Sequence, residues 1–452
     1  MKGPARIAWP ALLAVQVACG YAHKNFNQAG AALASPGDFV IQVDDYGSFW
    51  DPEVPARALE AIARSARTTN TIVVVAVHGW HHNADPDDEN ALGFASALQD
   101  IRKKLDDRAD GKPGFYRRSR EILTGSGDVN VFGIYVGWRG TSLPMPFAYL
   151  TFWDRKNAAE RVGRGDLREF LLRLNALYRA TYRDRGPSSP YVGMAAIGHS
   201  FGAQVLFTAI SSTLEQELIA VTDVTLDPDE PRQPLARPLE GFGDIVVLVN
   251  PALEAFQFER IRRLDAKLAY DRRQPPLLLV LSADTDSSRH VWFPVGRWAD
   301  AIFRAPMRDE QSDLWSTALG EYEPQRTHTI NFLPEQPSSA AAFYIGNAPR
   351  RPCDIVNFDL TDMPTIAHVR LEPIPGRRHP HSPFIVAYGG QELIRGHSGI
   401  FERTLHAFIN DYIGITRGKR LLLRDPRMQR CPAPAPGDPA ITLREREALA
   451  RQ

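Results

Sequence analysis

The 452-residue sequence is 44% hydrophobic and 23% charged, a composition typical of a soluble globular protein. Its 53 lysines and arginines balance its 53 aspartates and glutamates, so no overall field favours nucleic acid or an anionic membrane as a partner. A chain of this length can form one large domain with insertions, or two domains.

The first nineteen residues have the pattern of a bacterial export signal. Lys2 and Arg6 precede IAWPALLAVQVACG, an apolar run too short to span a bilayer but suited to a signal-peptide core. Cys19 stands where a lipoprotein signal carries its lipidated cysteine, although Gln16 replaces the usual leucine. We therefore expect a signal peptide over 1–19. The mature chain is expected in the cell envelope, tethered through lipidated Cys19, or periplasmic or secreted after plain cleavage.

Strands and helices are predicted to alternate from residue 38 onwards. Runs such as TIVVVAVHGW are apolar on both faces, which suits strands buried inside a parallel sheet. The alternation predicts an α/β fold, with a mostly parallel central sheet and helices on both faces. The predicted strands lie within 38–51, 71–80, 129–138, 191–197, 244–250, 276–283 and 383–389, and the helices at 55–67, 90–108, 166–184, after Ser200 and at 400–413.

Two stretches depart from this alternation. Many proline, arginine and aromatic residues between about 290 and 380 favour a lid-like insertion over a second sheet. The sequence CPAPAPGDPA at 431–440 cannot pack a core and indicates an extended linker. We therefore expect one domain over 38–415 and a Pro-rich, charged tail over 416–452.

The sequence GHSFG places Ser200 in a G-x-S-x-G pattern between a predicted strand and a predicted helix. A serine on a sharp strand-to-helix turn has a strained backbone, and the residues two places before and after it must be small. Gly198 and Gly202 meet this requirement. An ordinary Gly/Ser turn is the alternative, but the flanking strand and helix favour a nucleophile at Ser200.

A serine nucleophile also needs donors that stabilise an oxyanion. His78, Gly79 and Trp80 end the predicted strand 71–80. A turn in this position supplies one oxyanion N–H in α/β-hydrolases, and the residue after the nucleophile supplies the other. The expected donors are the backbone amides of Trp80 and Phe201. His78 is more suited to tying down the loop than to a chemical role.

The predicted acid and base follow later strands. Asp284 and Asp286 come after the strand LLLVLSA, and we prefer Asp286 as the acid for its spacing, with two solvated turn residues as the alternative. His397 precedes the last helix and is the predicted base, whereas His406 falls inside that helix. The order Ser200, Asp286, His397 differs from that of other serine hydrolases and is the order of the nucleophile-elbow fold.

The motifs HGWHHNA, YVGWRG, IGHSFGA and GHSGI resemble the α/β-hydrolase superfamily over about residues 38–415. More narrowly, they look like those of poorly characterised, often exported bacterial lipase- or esterase-like hydrolases. The resemblance implies a Ser–Asp–His mechanism on a small-molecule or lipid ester and no cofactor. It also implies an insertion around 138–156, whose aromatic residues either line an acyl pocket or belong to the core of a lid.

Other functions fit parts of the same pattern. An amidase, peptidase, thioesterase or acyltransferase can use this triad, and a non-catalytic, envelope-tethered binding module could retain the turn alone. HHNADPDDEN at 81–90 lacks the HExxH spacing, so a solvated loop is favoured over a metal site. The sequence contains no CxxC and no zinc-site spacing, which argues against a cysteine metal site. Cys353 and Cys431 could instead pair as a disulfide in an exported protein. The sequence leaves this pairing and the oligomeric state open.

Overall fold

A computed structural model of the chain shows an α/β architecture built on one ten-stranded, mostly parallel sheet. The described residues are 35, 37–106, 128–141, 151–183, 189–223, 232–283, 309–333, 352–357, 359–361, 365–377, 379–390, 394 and 402–431. The predicted signal segment, with Cys19, lies outside them. Among the described helices, none combines the length and the hydropathy that crossing a bilayer requires.

Each strand and helix predicted from the alternation is present, and further elements accompany them. The strands are β1 (Asp38–Val43), β2 (Asn70–Val77), β3 (Val129–Trp138), β4 (Val192–His199), β5 (Gln233–Pro234), β6 (Ile245–Val249), β7 (Leu268–Ala269), β8 (Leu278–Ser282), β9 (His328–Phe332), β10 (Thr365–Ile366), β11 (Val369–Pro373) and β12 (Phe384–Gly389). The helices are α1 (Glu53–Ser65), α2 (Glu89–Asp106), α3 (Phe152–Arg164), α4 (Asp166–Arg183), α5 (Phe201–Val221), α6 (Ala255–Asp265), α7 (Asp309–Ser316), α8 (Pro352–Asn357), α9 (Arg403–Leu423) and α10 (Pro426–Gln429).

The strand order of the sheet is β1-β3-β2-β4-β6-β8-β12-β9-β11-β10. The neighbours from β1 to β9 are parallel, and β11 and β10 are added antiparallel at one edge. Alternate residues of β6 enter different cores: Val246 and Leu248 pack with α1, α3, α4 and α5, whereas Ile245 and Val247 pack with α9. Helices therefore cover both faces, as the sequence predicts.

The stretch from 290 to 380 differs from its prediction in the part that the structure describes. β9, β10 and β11 extend the central sheet beyond β12, and these described residues show no lid. The three strands are only two to five residues long. Such short edge strands give too little periodicity to separate them from irregular chain.

The C-terminal part also differs from its prediction. α9 continues to Leu423 rather than ending near 413, so packing extends past the expected domain end at 415. The Nε of buried Arg420 donates to the carbonyl oxygen of Asp244 at 2.7 Å. Cys431, after α10, forms a disulfide with Cys353 of α8, which answers the pairing that the sequence left open.

Candidate functional site

Ser200 lies on the turn between β4 and α5, with φ 54° and ψ −121°. A non-glycine residue rarely adopts positive φ, so the backbone here is strained. Its N–H donates to the carbonyl oxygen of Val249 at 3.0 Å, and its own carbonyl accepts from the N–H of Ala203 at 3.0 Å and of Ala252 at 3.1 Å. β6 and the loop after it therefore hold the strained turn in place.

Three glycines allow the chain to approach closely around this turn. A Cβ atom on Gly202 would lie 2.1 Å from the carbonyl oxygen of Val77, and one on Gly198 would lie 2.7 Å from the Cα of Ala203. A Cβ on Gly79 would lie 2.8 Å from the Cβ of Ser200. The end of β2 and the turn after it are thus packed directly against Ser200.

The imidazole of His78 is buried and bonded through both nitrogens. Nδ1 lies 2.9 Å from the carbonyl oxygen of Gly79, and Nε2 accepts from the backbone N–H of Trp138 at 3.0 Å. The indole N–H of Trp138 in turn donates to the carbonyl oxygen of His78 at 3.0 Å. Burial lowers the pKa of His78 to about 4, so the ring is neutral at pH 7. These contacts assign His78 the role of fixing the turn that contains Gly79.

The side chains of the expected oxyanion residues meet in one aromatic cluster. Phe152, the first residue of α3, packs with its ring centroid 5.2 Å from that of Trp80 and 4.9 Å from that of Phe201. All three side chains are buried in the main core. Phe152 is therefore core rather than the wall of an open pocket, while residues 142–150 of the expected insertion lie outside the described chain. Phe201 begins α5, so its N–H belongs to the helix terminus that favours negative charge.

A buried ion pair lies close to this cluster. The Nζ of Lys156 on α3 is 2.8 Å from Oε1 of Glu254, and each side chain is 1% exposed. The amide of Gln257 donates to Oε2 of Glu254 at 2.5 Å, and the amide of Gln204 donates to Oε1 of Gln257 at 3.1 Å. This polar chain links α3, the start of α6 and the first turn of α5. Sequence reasoning missed it because its members lie far apart along the chain.

Asp284, Asp286 and His397 lie outside the described residues, and the strands before them can be placed. The N–H of Ala283, directly after β8, donates to Oδ1 of Asn250 at 3.1 Å. Asn250 directly follows Val249, whose carbonyl oxygen accepts a hydrogen bond from the N–H of Ser200. The carboxyl ends of these parallel strands therefore lie at the same edge of the sheet as Ser200.

The base predicted at His397 follows β12, which pairs in parallel with β8 and aligns Tyr388 with Ser282. His406, the competing histidine, lies in α9 and its Nε2 is 2.9 Å from the side-chain nitrogen of Asn410. His406 therefore lies inside a helix, as the sequence predicts, and the choice of His397 over His406 as the base stays a prediction.

The histidine- and acid-rich stretch at 81–90 is held together by its own side chains. Nδ1 of His82 lies 3.2 Å from Oδ1 of Asp88, and Nε2 lies 2.7 Å from the side-chain nitrogen of Asn90. Burial opposes ionisation of Asp88, but its hydrogen bond and charge interaction with His82 prevail and lower its pKa. The side chains of His82 and Asp88 are 13% and 9% exposed, so this pair is less solvated than expected. Across the described residues, no group of three or more His, Cys, Asp or Glu is arranged to hold a metal ion.

The chain matches no protein-family model, no curated protein and no solved structure.

Proposed function

We propose that the protein is a serine hydrolase with the α/β-hydrolase fold, and that it cleaves carboxylic esters. The observation that carries the proposal is the strained backbone of Ser200 between a buried parallel strand and a helix. The strand order supports it, because β4 stands between β2 and β6, followed by β8 and β12. In this fold the nucleophile, the acid and the base follow such strands in the order Ser200, Asp286, His397.

The mechanism begins with His397, oriented by Asp286, removing the proton of the Ser200 hydroxyl as its oxygen attacks the ester carbonyl. The backbone amides of Trp80 and Phe201 stabilise the oxyanion. His397 returns the proton to the departing alcohol, which leaves an acyl group on Ser200. Water, activated by His397, then attacks the acyl-enzyme and releases the acid.

The described residues support specific parts of this scheme. The contact between Gly79 and Ser200 brings the turn with Trp80 beside the nucleophile. His78 is neutral and bonded through both nitrogens, which suits a residue that fixes this turn rather than one that transfers protons. Fixed amide donors are more effective than mobile ones, because they need no reorganisation as charge develops.

We also propose that the protein acts outside the cytoplasm, in the cell envelope or as a secreted enzyme. The Cys353–Cys431 disulfide supports this location, because structural disulfides persist in oxidising compartments. The hydrolase mechanism uses side chains and backbone amides alone, without a cofactor.

Turnover of p-nitrophenyl acetate by the purified mature chain tests the function. We expect Ser200→Ala to abolish turnover and Ser211→Ala, on the same helix α5, to retain it. Loss in Asp286→Asn with retention in Asp284→Asn would identify the acid. Parallel assays with a p-nitroanilide and a thioester determine which bond is cleaved. A folded protein that turns over none of the three substrates would contradict the proposal and favour a binding module.

A further inference from the structure

Residues 317–326 connect α7 to β9 and cross the carboxyl ends of three neighbouring strands; we call this segment the brace. Its first contacts are with the loop after β6. The N–H of Ala255 donates to the carbonyl oxygen of Thr317 at 3.0 Å, and the N–H of Leu319 donates to that of Leu253 at 2.8 Å. Leu253 directly follows Ala252, whose N–H binds the carbonyl oxygen of Ser200.

The second contact of the brace is with the end of β8. Gly320 has φ 91°, and a Cβ atom there would lie 2.1 Å from Oγ of Ser282, the last residue of β8. The hydroxyl of Ser282 donates to the carbonyl oxygen of Leu319 at 3.5 Å. A glycine is required at position 320 because of both the positive φ and this close approach.

The third contact is with the end of β12. The guanidinium carbon of Arg326 lies 3.5 Å from the ring centroid of Tyr388, a cation–π arrangement. The same guanidinium donates from Nε to the carbonyl oxygen of Gly320 at 2.9 Å and from a terminal nitrogen to that of Glu321 at 2.6 Å. Arg326 therefore links the two ends of the brace by hydrogen bonds and packs the brace against β12 through Tyr388.

We propose that the brace positions the ends of β8 and β12 relative to Ser200, with Arg326 as its principal positioning residue. The proposal rests on the proposed hydrolase function, in which the acid follows β8 and the base follows β12. Displacement of a reacting group by about 1 Å can lower a rate by about 100-fold. A segment that contacts the ends of β8 and β12 and the loop after β6 is therefore expected to control the rate through position alone.

The test compares two matched pairs of variants. Arg326→Leu removes the stacking and both hydrogen bonds, whereas Arg377→Leu removes an exposed arginine that binds Glu323 of the brace at 2.8 Å. Gly320→Ala introduces a clash with Ser282, whereas Gly376→Ala meets nothing within 4 Å at a similarly positive φ of 74°. Arg326→Lys keeps the charge near Tyr388 and loses the double hydrogen bond to Gly320 and Glu321.

The measurements are the rate of fluorophosphonate labelling at Ser200 and the pH profiles of kcat and kcat/KM. We expect Arg326→Leu and Gly320→Ala to slow labelling and kcat by a factor on the order of ten or more, with KM little changed and the pKa of the base shifted. The labelling rate and kcat of Arg326→Lys should lie between those of the parent and Arg326→Leu. Those of the controls Arg377→Leu and Gly376→Ala should stay within about twofold of the parent values. If Arg326→Leu fails to fold, the same measurements on Arg326→Lys, and on Gly320→Ala against Gly376→Ala, test the proposal.

Parent-like labelling by folded Arg326→Leu would overturn the proposal. Failure of the parent chain itself to label or turn over would instead overturn the hydrolase function, and with it the catalytic role of the brace. Amide hydrogen exchange over 278–283 and 384–390 supplies a readout independent of activity. Faster exchange in Arg326→Leu than in Arg377→Leu supports the positioning contacts, and equal exchange contradicts them.

Discussion

Nε2 of His78 accepts a hydrogen bond from the backbone N–H of Trp138 at 3.0 Å, across the ends of two adjacent strands. A protonated imidazole would present a second donor to this N–H, so the contact requires the neutral ring. Burial favours the same form and lowers the pKa of His78 to about 4. The turn beside Ser200 is therefore fixed by a histidine that must remain uncharged.

This contact makes folding sensitive to acid. The pKa of His78 falls from 6.5 to about 4 on folding, so the unfolded chain binds the extra proton and stability falls as pH drops through that interval. The loss amounts to roughly 3 kcal/mol at most. His78→Gln keeps an acceptor and cannot titrate, so we expect a flatter dependence. Urea unfolding at several pH values between 7 and 4 measures this dependence. If the unfolding free energy of parent and variant changed equally with pH, His78 would not be the group responsible.

The ion pair between Lys156 and Glu254 should show strong coupling. Lys156→Met leaves the carboxylate of Glu254 buried without its cation, which we expect to cost about 3–5 kcal/mol of unfolding free energy. Adding Glu254→Gln should recover much of this loss, because the remaining group is neutral. A double-mutant cycle by chemical denaturation measures the coupling. Additive losses would show that the two side chains do not depend on each other.

Asp265, at the end of α6, should destabilise the protein at neutral pH. Burial raises its pKa from 3.8 to about 6, opposed by a hydrogen bond from the hydroxyl of Ser382. Because the folded pKa is raised, stability is lost as pH rises from about 4 to about 6. We expect Asp265→Asn to be more stable than the parent at pH 7 by roughly 1–3 kcal/mol, and similar to it near pH 4.

Asp271→Asn is the control for that comparison. The side chain of Asp271 is 49% exposed and pairs with Arg273 at 2.6 Å. Burial opposes its ionisation, but the hydrogen bonds from Arg273 outweigh this and lower its pKa. Asp271→Asn should therefore be no more stable than the parent at pH 7. Equal thermal midpoints for parent and Asp265→Asn across the pH range would contradict the buried-acid account.

The Cys353–Cys431 disulfide should be a substantial source of stability. It closes a sequence separation of 78 residues that includes β10, β11, β12 and α9. Replacing both cysteines by serine should lower the unfolding free energy by about 2–4 kcal/mol, chiefly by freeing the unfolded chain. Parent protein unfolded under reducing conditions should match the double variant. A parent insensitive to reductant would indicate that the bond contributes little.

Seven strands of the central sheet, β1, β2, β3, β4, β6, β8 and β12, were predictable because most of them are continuous apolar runs. β2 and β6 are buried along nearly their whole length, and such runs stand out in any sequence. The turn at Ser200 was visible for a related reason, since glycines at 198 and 202 are needed wherever backbones approach this closely. Local patterns therefore identified these seven strands and the turn, but not the short edge strands β9, β10 and β11.

Features that depend on distant partners were not predictable. α3 was missed because its buried face carries Arg155 and Lys156. Besides Asp154 and Glu160 of α3 itself, they pair with Asp45 and Glu254, which lie far away in sequence. No periodicity indicates that a charged residue faces the core when its counter-ion comes from another element. The brace was missed for the same reason. The roles of Arg326 and Gly320 depend on contacts with Tyr388 and Ser282, which are distant in sequence.

The most direct test of the proposed hydrolase function is reaction of the purified protein with a fluorophosphonate, followed by peptide mapping of the adduct. We expect one stoichiometric label on Ser200, which is absent from Ser200→Ala and strongly reduced in His397→Ala, whereas Ser211→Ala is labelled to the same extent as the parent. A folded parent chain that takes up no label, or that carries it on another residue, would contradict the assignment of Ser200 as the nucleophile.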